Sequence, residues 1–231
     1  MRKWVWAWCG IALAVAAATG VMYEASAGHK GIREVKTQQR VVALTFDDGP
    51  DEVMTTKLLQ VLKKYNAKAT FFVMGRRAEE LPGQLEQIAS EGHEIGSHGF
   101  SHKWLTKLSD EELAEEIART EAVIMTAAPK PVLFRPPGAY YNEHIIQELR
   151  NKGYSMIMWS IDTRDWARQD YTVIARDVTR KVKPGSIVLM HDGYYASGTP
   201  KAVAIIAEKL SKQGYRFVTI SELLQYNEER K

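Results

Sequence analysis

Apolar and polar positions along this chain follow two alternating periods. Short runs rich in Val, Ile and Phe read as buried strands over Val41–Phe46, Ala69–Met74, Glu94–Ser97, Val132–Phe134, Ser155–Ile161, Ser186–Met190 and Arg216–Ile220. Between them, apolar residues recur at three- and four-residue spacing, as in Leu58, Val61 and Leu62. That spacing predicts helices over Met54–Tyr65, Ala78–Ser90, Asp110–Met125, Asn142–Lys152, Tyr171–Val182 and Lys201–Gln213. Ser109 ahead of Asp110-Glu111-Glu112 is an N-cap followed by an acidic first turn. Strand and helix in strict alternation make a parallel sheet. Short apolar strands of similar length, each followed by a helix, suit a closed or nearly closed barrel. The expected fold is α/β, a distorted (β/α)7 barrel forming a single domain over 41–231.

The first residues break this pattern. Arg2 and Lys3 precede an apolar stretch from Trp4 to Tyr23, and Ala25-Ser26-Ala27 then fits a signal-peptidase site. The stretch is also long enough to span a bilayer. Residues 1–27 are therefore expected to be a signal peptide or membrane anchor, and 28–40 a tether. The only cysteine, Cys9, falls inside the export segment, so thiolate chemistry is excluded from the body. The chain has 231 residues, 45% apolar and 26% charged, which suits one well-packed domain. A net charge of +3, with no Lys/Arg run longer than two, gives no track for nucleic acid. A monomer is expected.

The polar residues cluster at one end of the strands. Asp47 and Asp48 follow the first strand, within Thr45-Phe46-Asp47-Asp48-Gly49-Pro50. His98 and His102 follow the third, Arg135 the fourth, Asp162 and Asp165 the fifth, and His191 the sixth. This is the face on which a (β/α) barrel builds its active site. Asp48, His98 and His102 offer one oxygen and two nitrogens to a divalent metal and leave positions open, while Asp47 remains as a spare base. Zinc is the default, and cobalt, nickel or manganese are substitutes. An Asp-Asp-Gly turn or a pair of surface histidines is unremarkable alone. Together, at matching strand ends, they define a site.

Thr45–Pro50 and His98-Gly99-Phe100-Ser101-His102 resemble the polysaccharide deacetylases, carbohydrate esterase family 4, the NodB-homology family. Phe134-Arg135-Pro136-Pro137-Gly138, Asp162-Thr163-Arg164-Asp165-Trp166 and Val188-Leu189-Met190-His191-Asp192 look like its later motifs, in order. The resemblance spans about Val41 to Ile220. It implies that Asp47 is the general base and that Arg135 fixes its orientation. It implies that His191 protonates the departing amine, with Asp165 holding the imidazolium. The Gly138 N–H would meet the oxyanion. Trp166, Leu189 and Tyr140 would wall the pocket for an acetyl methyl and a sugar ring.

Two positions depart from the family pattern. Gly99 stands where a Ser or Thr usually braces the metal loop, and Gly138 stands where an aromatic often walls the groove. His93, His29 and His144 read as structural or surface histidines, and Tyr194 and Tyr195 as loop residues within reach of a glycan.

The implied activity is removal of N-acetyl groups from amino sugars of a cell-surface polysaccharide, peptidoglycan first and chitin-type oligomers second. An O-deacetylase of acetylated xylan and a catalytically silent glycan-binding wall protein are the alternatives. The expected location is outside the cell membrane, secreted or anchored facing a bacterial wall.

Overall fold

A computed structural model of the chain describes residues 31–167 and 170–228. The export segment expected over 1–27, the first part of the expected tether and His29 lie outside the described residues. Strand β1 (Val41–Asp47) is buried along its whole length and centres a curled sheet. The sheet contains β2 (Thr70–Val73), β3 (Glu94–Ser97), β4 (Leu133–Phe134), β5 (Ser155–Met156), β6 (Ile161–Asp162) and β7 (Ile187–His191), in the order β5-β4-β3-β2-β1-β7-β6. All neighbours are parallel. The last strand, β8 (Arg216–Phe217), pairs off this path with the first two residues of β1. The expected distorted barrel with seven strands around its path is the observed architecture.

Three local expectations are corrected. The strand expected over Ser155–Ile161 is two strands, β5 and β6, at opposite edges of the sheet. Residues 157–160 cross from one edge to the other, Ile157 N–H bonding the Phe134 carbonyl at 2.9 Å and Ser160 N–H the Ile187 carbonyl at 3.1 Å. The expected tether is docked from Gly31 onward. Ile32 N–H donates to the Met156 carbonyl at 2.9 Å, and its carbonyl accepts from Met158 N–H at 2.7 Å. Ile32 and Val35 are buried. An open parallel edge would leave backbone groups unpaired, and this segment fills it. Finally, the strand expected to run through Ile220 stops at Phe217, because Thr219 and Glu222 form a capping box that starts α8 (Ile220–Leu224).

The helices otherwise lie where the periodicity places them: α1 (Met54–Lys64), α4 (Asp110–Ile124), α5 (Glu143–Asn151), α6 (Tyr171–Lys181) and α7 (Thr199–Lys212). Ser109 and Glu112 close the expected cap of α4 as a reciprocal box. The helix expected over Ala78–Ser90 is divided into α2 (Gly75–Glu80) and α3 (Pro82–Ser90). Pro82 lacks an N–H for a continuous helix but fits the first turn of a new one.

Period-two alternation decides what faces inward. Val42, Leu44 and Phe46 of β1 and Val188 and Met190 of β7 pack outward with the helices around Leu58, Leu62, Ile88 and Ile206. Val41, Ala43 and Ile187 face inward with Phe72, Leu133 and Ile157. Burying each such side chain contributes about 1.5–3 kcal/mol. Continuing the inward parity brings Thr45 and Asp47 from β1, and Leu189 and His191 from β7, to the inner face. In β4 the same parity carries Leu133 to Arg135.

Gly49 packs directly on the Asp192 carboxylate, where an added Cβ would lie 2.1 Å from Oδ2. Gly49→Ala is expected to cost about 3 kcal/mol by overpacking. For a domain of this length that lowers the melting temperature by about 10 °C. Calorimetry checks this, and an unchanged melting curve would show that Asp192 swings aside freely.

Candidate metal centre and active site

The inward residues meet at the C-terminal mouth of the barrel, in a cleft of about 1320 Å³. Asp47 ends β1 and is buried. Strand alternation alone would turn Asp48 to the opposite side. Its backbone adopts φ +74 instead, and the chain bends at Asp48 itself, one residue before the Gly49-Pro50 turn. Both carboxylates thereby serve one cleft.

Asp48 Oδ1 lies 3.4 Å from His98 Nε2 and 3.2 Å from His102 Nε2. Asp48, His98 and His102 each place a ligand atom within 4.8 Å of the other two. A tetrahedral ion with ligand bonds of about 2.0 Å spaces its ligands about 3.3 Å apart, so the residues present fit one. Among the described residues, Asp48 Oδ1 is also buried without a hydrogen-bond partner, although a buried acceptor is costly to leave unmet. Its sister Oδ2 is taken by the Tyr195 hydroxyl. That leaves Oδ1 as the free ligand atom. His98 Nδ1 bonds the Arg135 carbonyl at 2.7 Å, which turns Nε2 toward Asp48.

The same cluster governs protonation. Burial opposes ionisation of Asp48, but His98, His102 and the Tyr195 hydroxyl outweigh it and hold its carboxyl well below the usual range. Burial disfavours the charged form of His98, and the neighbouring Asp47 and Asp48 carboxylates more than offset this. His102 is lowered, by burial and then by His98.

Arg135 is wholly buried across the cleft floor. One guanidinium nitrogen donates to Asp47 Oδ1 at 2.7 Å and Thr45 Oγ1 at 2.8 Å. The other two nitrogens reach the Ile157 and Met158 carbonyls at 3.2 and 3.1 Å, and the cation lies 4.1 Å from the Phe72 ring centre. Five fixed donors on a rigid plane hold Asp47 in one orientation. Burial lowers the Arg135 pKa and Asp47 works against that shift.

His191 faces Asp47 and Asp48 from β7. Its Nδ1 is 2.7 Å from Asp165 Oδ1, while Asp165 Oδ2 accepts from His191 N–H at 2.8 Å and Thr199 Oγ1 at 2.6 Å. Burial pulls the imidazole down. The Asp165 hydrogen bond and charge, with Asp47 and Asp48, push it up to about 9. With Nδ1 held by Asp165, Nε2 is the ring nitrogen that His191 turns to the cleft it lines.

The expected pocket walls fare differently. Trp166, Leu189 and Gly138 line the cleft, and Trp166 is half exposed there. Tyr140 is not among the lining residues. It stacks on Trp104 with ring centres 4.3 Å apart. Its ring occupies the space beside Gly138, where a Cβ would meet Tyr140 Cδ2 at 3.0 Å. Asp162 lines the cleft and accepts from Arg164 N–H at 2.8 Å. His93 is buried and structural, its Nδ1 accepting from Ala69 N–H at 3.2 Å, and His144 pairs with Asp110 on the surface.

Sequence reasoning passed over Trp159 and misread Tyr195. Trp159 lines the cleft from the β5–β6 crossing, and its position in an apolar run gave no sign of this. Tyr195 donates to the Asp48 carboxylate, although its place four residues beyond His191 suggested only a glycan contact. Asp192 was likewise unassigned. It is buried beneath Gly49 and accepts from Thr55 Oγ1 at 2.5 Å.

A curled parallel barrel, a carboxylate–imidazole cluster that fits a divalent ion, and an Asp47–Arg135 pair and an Asp165–His191 pair on the same cleft match the class of metal-dependent hydrolases. Comparison with known proteins narrows the class. The polysaccharide deacetylase family matches residues 34–157. A peptidoglycan-N-acetylglucosamine deacetylase of Bacillus cereus is 42% identical over 196 residues, covering 84% of this chain and 92% of the relative. The peptidoglycan-N-acetylmuramic acid deacetylase PdaC of Bacillus subtilis is 36% identical over 197 residues, 85% of this chain and 41% of that protein. The crystal structure of the Bc1960 peptidoglycan N-acetylglucosamine deacetylase superposes with a TM-score of 0.81 at 35% identity, covering 85% of this chain and 93% of that one. The chain belongs to the polysaccharide deacetylase family.

Proposed function

We propose that this protein is an exported deacetylase that hydrolyses the acetamide of N-acetylglucosamine residues in peptidoglycan, with chitin-type oligomers as secondary substrates and zinc as its metal. The observation that carries the reading is the convergence of Asp47, His191 and the Asp48–His98–His102 cluster on one cleft. The choice of sugar is supported by the Bacillus cereus relative, which this chain matches over nearly its whole length. Export is supported by Arg2, Lys3 and the apolar run that follows them, ending in Ala25-Ser26-Ala27.

Asp48, His98 and His102 would hold the cation. When bound, it polarises the acetamide carbonyl and makes the attacking water more acidic. Asp47, fixed by Arg135, takes a proton from that water as it attacks the carbonyl carbon. The Gly138 N–H donates to the developing oxyanion. Cleavage of the carbon–nitrogen bond expels an amine, which leaves poorly as an anion. His191 Nε2 therefore supplies a proton to nitrogen, and Asp165 stabilises the imidazolium beforehand. Leu189 lines the cleft where the acetyl methyl would lie, and Trp166 offers a face for the sugar ring. The products are acetate and a cationic amino sugar.

Mass spectrometry of muropeptides and chitooligomers after incubation with protein and zinc tests this. Loss of one acetyl group from glucosamine is expected, abolished by a chelator and restored by added zinc. Acetyl release that persists in chelator, or none from any N-acetylated oligomer, overturns it.

A further inference from the structure

The loop joining the two histidine ligands lacks a side chain of its own at Gly99 to brace it. Gly99 takes φ +74 without cost, but His102 sits at φ +62, a path that a residue with a Cβ does not favour. The two rings are also held unequally. His98 is oriented through Nδ1 by the Arg135 carbonyl. Among the described residues, no such hydrogen bond holds the His102 Nδ1, and its polar contact is Asp48. The position of His102 therefore depends on the backbone that carries it.

That backbone is gripped from outside the cleft by one residue of α4. Glu116 is buried in mid-helix. Its Oε2 accepts from Phe100 N–H at 2.8 Å and Ser101 N–H at 2.9 Å, and its Oε1 accepts from Ser101 Oγ at 2.5 Å. All three donors lie between the two ligands. One turn further along α4, the Arg119 guanidinium covers the Phe100 ring at 3.7 Å. A buried carboxylate is costly unless donors surround it, and here the loop supplies all of them. Glu116 touches neither the cleft floor nor any catalytic side chain in these contacts, so the catalytic chemistry does not account for it.

We propose that Glu116 is a positioning residue for the metal centre, setting His102 by holding the His98–His102 loop. The inference rests on the metal reading of the site. Glu116→Leu keeps a buried side chain of similar size but offers no acceptor to Phe100 N–H, Ser101 N–H or Ser101 Oγ. Zinc affinity measured by titration calorimetry on metal-stripped full-length protein is expected to fall about 10–100-fold. The fall in rate is expected to shrink as zinc is raised to saturation, with KM for the sugar little changed. Ser101→Ala removes one bond only and is expected to weaken zinc binding by a smaller factor, which keeps the test decisive where the Leu variant folds poorly. Glu115→Ala, on the exposed face of α4, is the matched control and should bind zinc like the wild type. Equal zinc affinity in folded Glu116→Leu and wild type overturns this proposal alone. Failure of the wild type to bind zinc overturns it together with the metal reading.

Discussion

Asp48→Ala is expected to lower acetate release by at least about 10³-fold, because the ion's charge stabilisation is worth several kcal/mol and each 1.4 kcal/mol is tenfold. The reason lies in the environment of one atom. Asp48 Oδ1 is buried, has no hydrogen-bond donor among the described residues, and faces both His98 and His102 at contact distance. Its removal leaves two imidazoles, one of them anchored only through its loop. A second readout separates lost binding from lost folding. At zinc about 1,000-fold above its dissociation constant, the wild type gains about 4 kcal/mol of stability. For a domain of this size that is roughly 8–16 °C in melting temperature. The gain should vanish in the variant while its metal-free fold persists. Full turnover, or an undiminished zinc-induced shift, would remove Asp48 from the metal centre.

The second large effect concerns the proton delivered to the leaving group. His191→Ala is expected to reduce amide hydrolysis by about 10²–10⁴-fold. Acetyl-ester hydrolysis should suffer far less, since an alkoxide leaves more readily than an amide anion. An equal loss on both substrates would contradict the acid role. The pH profile adds a sign that structural damage does not mimic. His191 donates only while protonated. Burial lowers its pKa, but Asp165, Asp47 and Asp48 raise it to about 9. Asp165→Asn removes the largest raising influence, so His191 loses its proton at lower pH. The alkaline limb of kcat/KM should move down in pH while the acid limb stays. A bound cation lowers the limb in both proteins and leaves the direction of the difference unchanged. A limb that stays in place, or moves up, would dissociate Asp165 from His191.

The contrast between His191 and Asp48 also bears on the two other readings of the sequence. A silent glycan-binding protein would show neither effect. A xylan esterase would depend on Asp48 but little on His191. Parallel assays on the two single variants separate all three.

Much of the site was legible in the linear chain because its residues continue strand patterns. Asp47, Arg135 and His191 extend the inward parity of β1, β4 and β7, so an alternating apolar run already implies the face each one takes. The histidine pair declared itself by spacing, and the capping box of α4 by Ser109 and Glu112. Other features had no local trace. The Tyr195 hydroxyl meets a carboxylate 147 positions away, and Glu116 reaches a loop that its helix faces only after folding. Tyr140 reads as a groove wall but packs on Trp104, a residue of another loop. Residues 31–35 read as part of a tether and prove to bridge the end of β5 and the start of β7.

The sequence by itself determined which residues form strands, which side of each strand they occupy, and that carboxylates and imidazoles gather at one end of a parallel barrel. These depend on periodicity and steric rules that act over a few neighbouring residues. Only the tertiary structure decided that Asp48 turns back into the cleft, that Tyr195 caps one of its oxygens and leaves the other free, and that Glu116 holds the histidine loop. Those arrangements arise where separate loops converge, and their geometry is set by packing between segments that no local pattern connects.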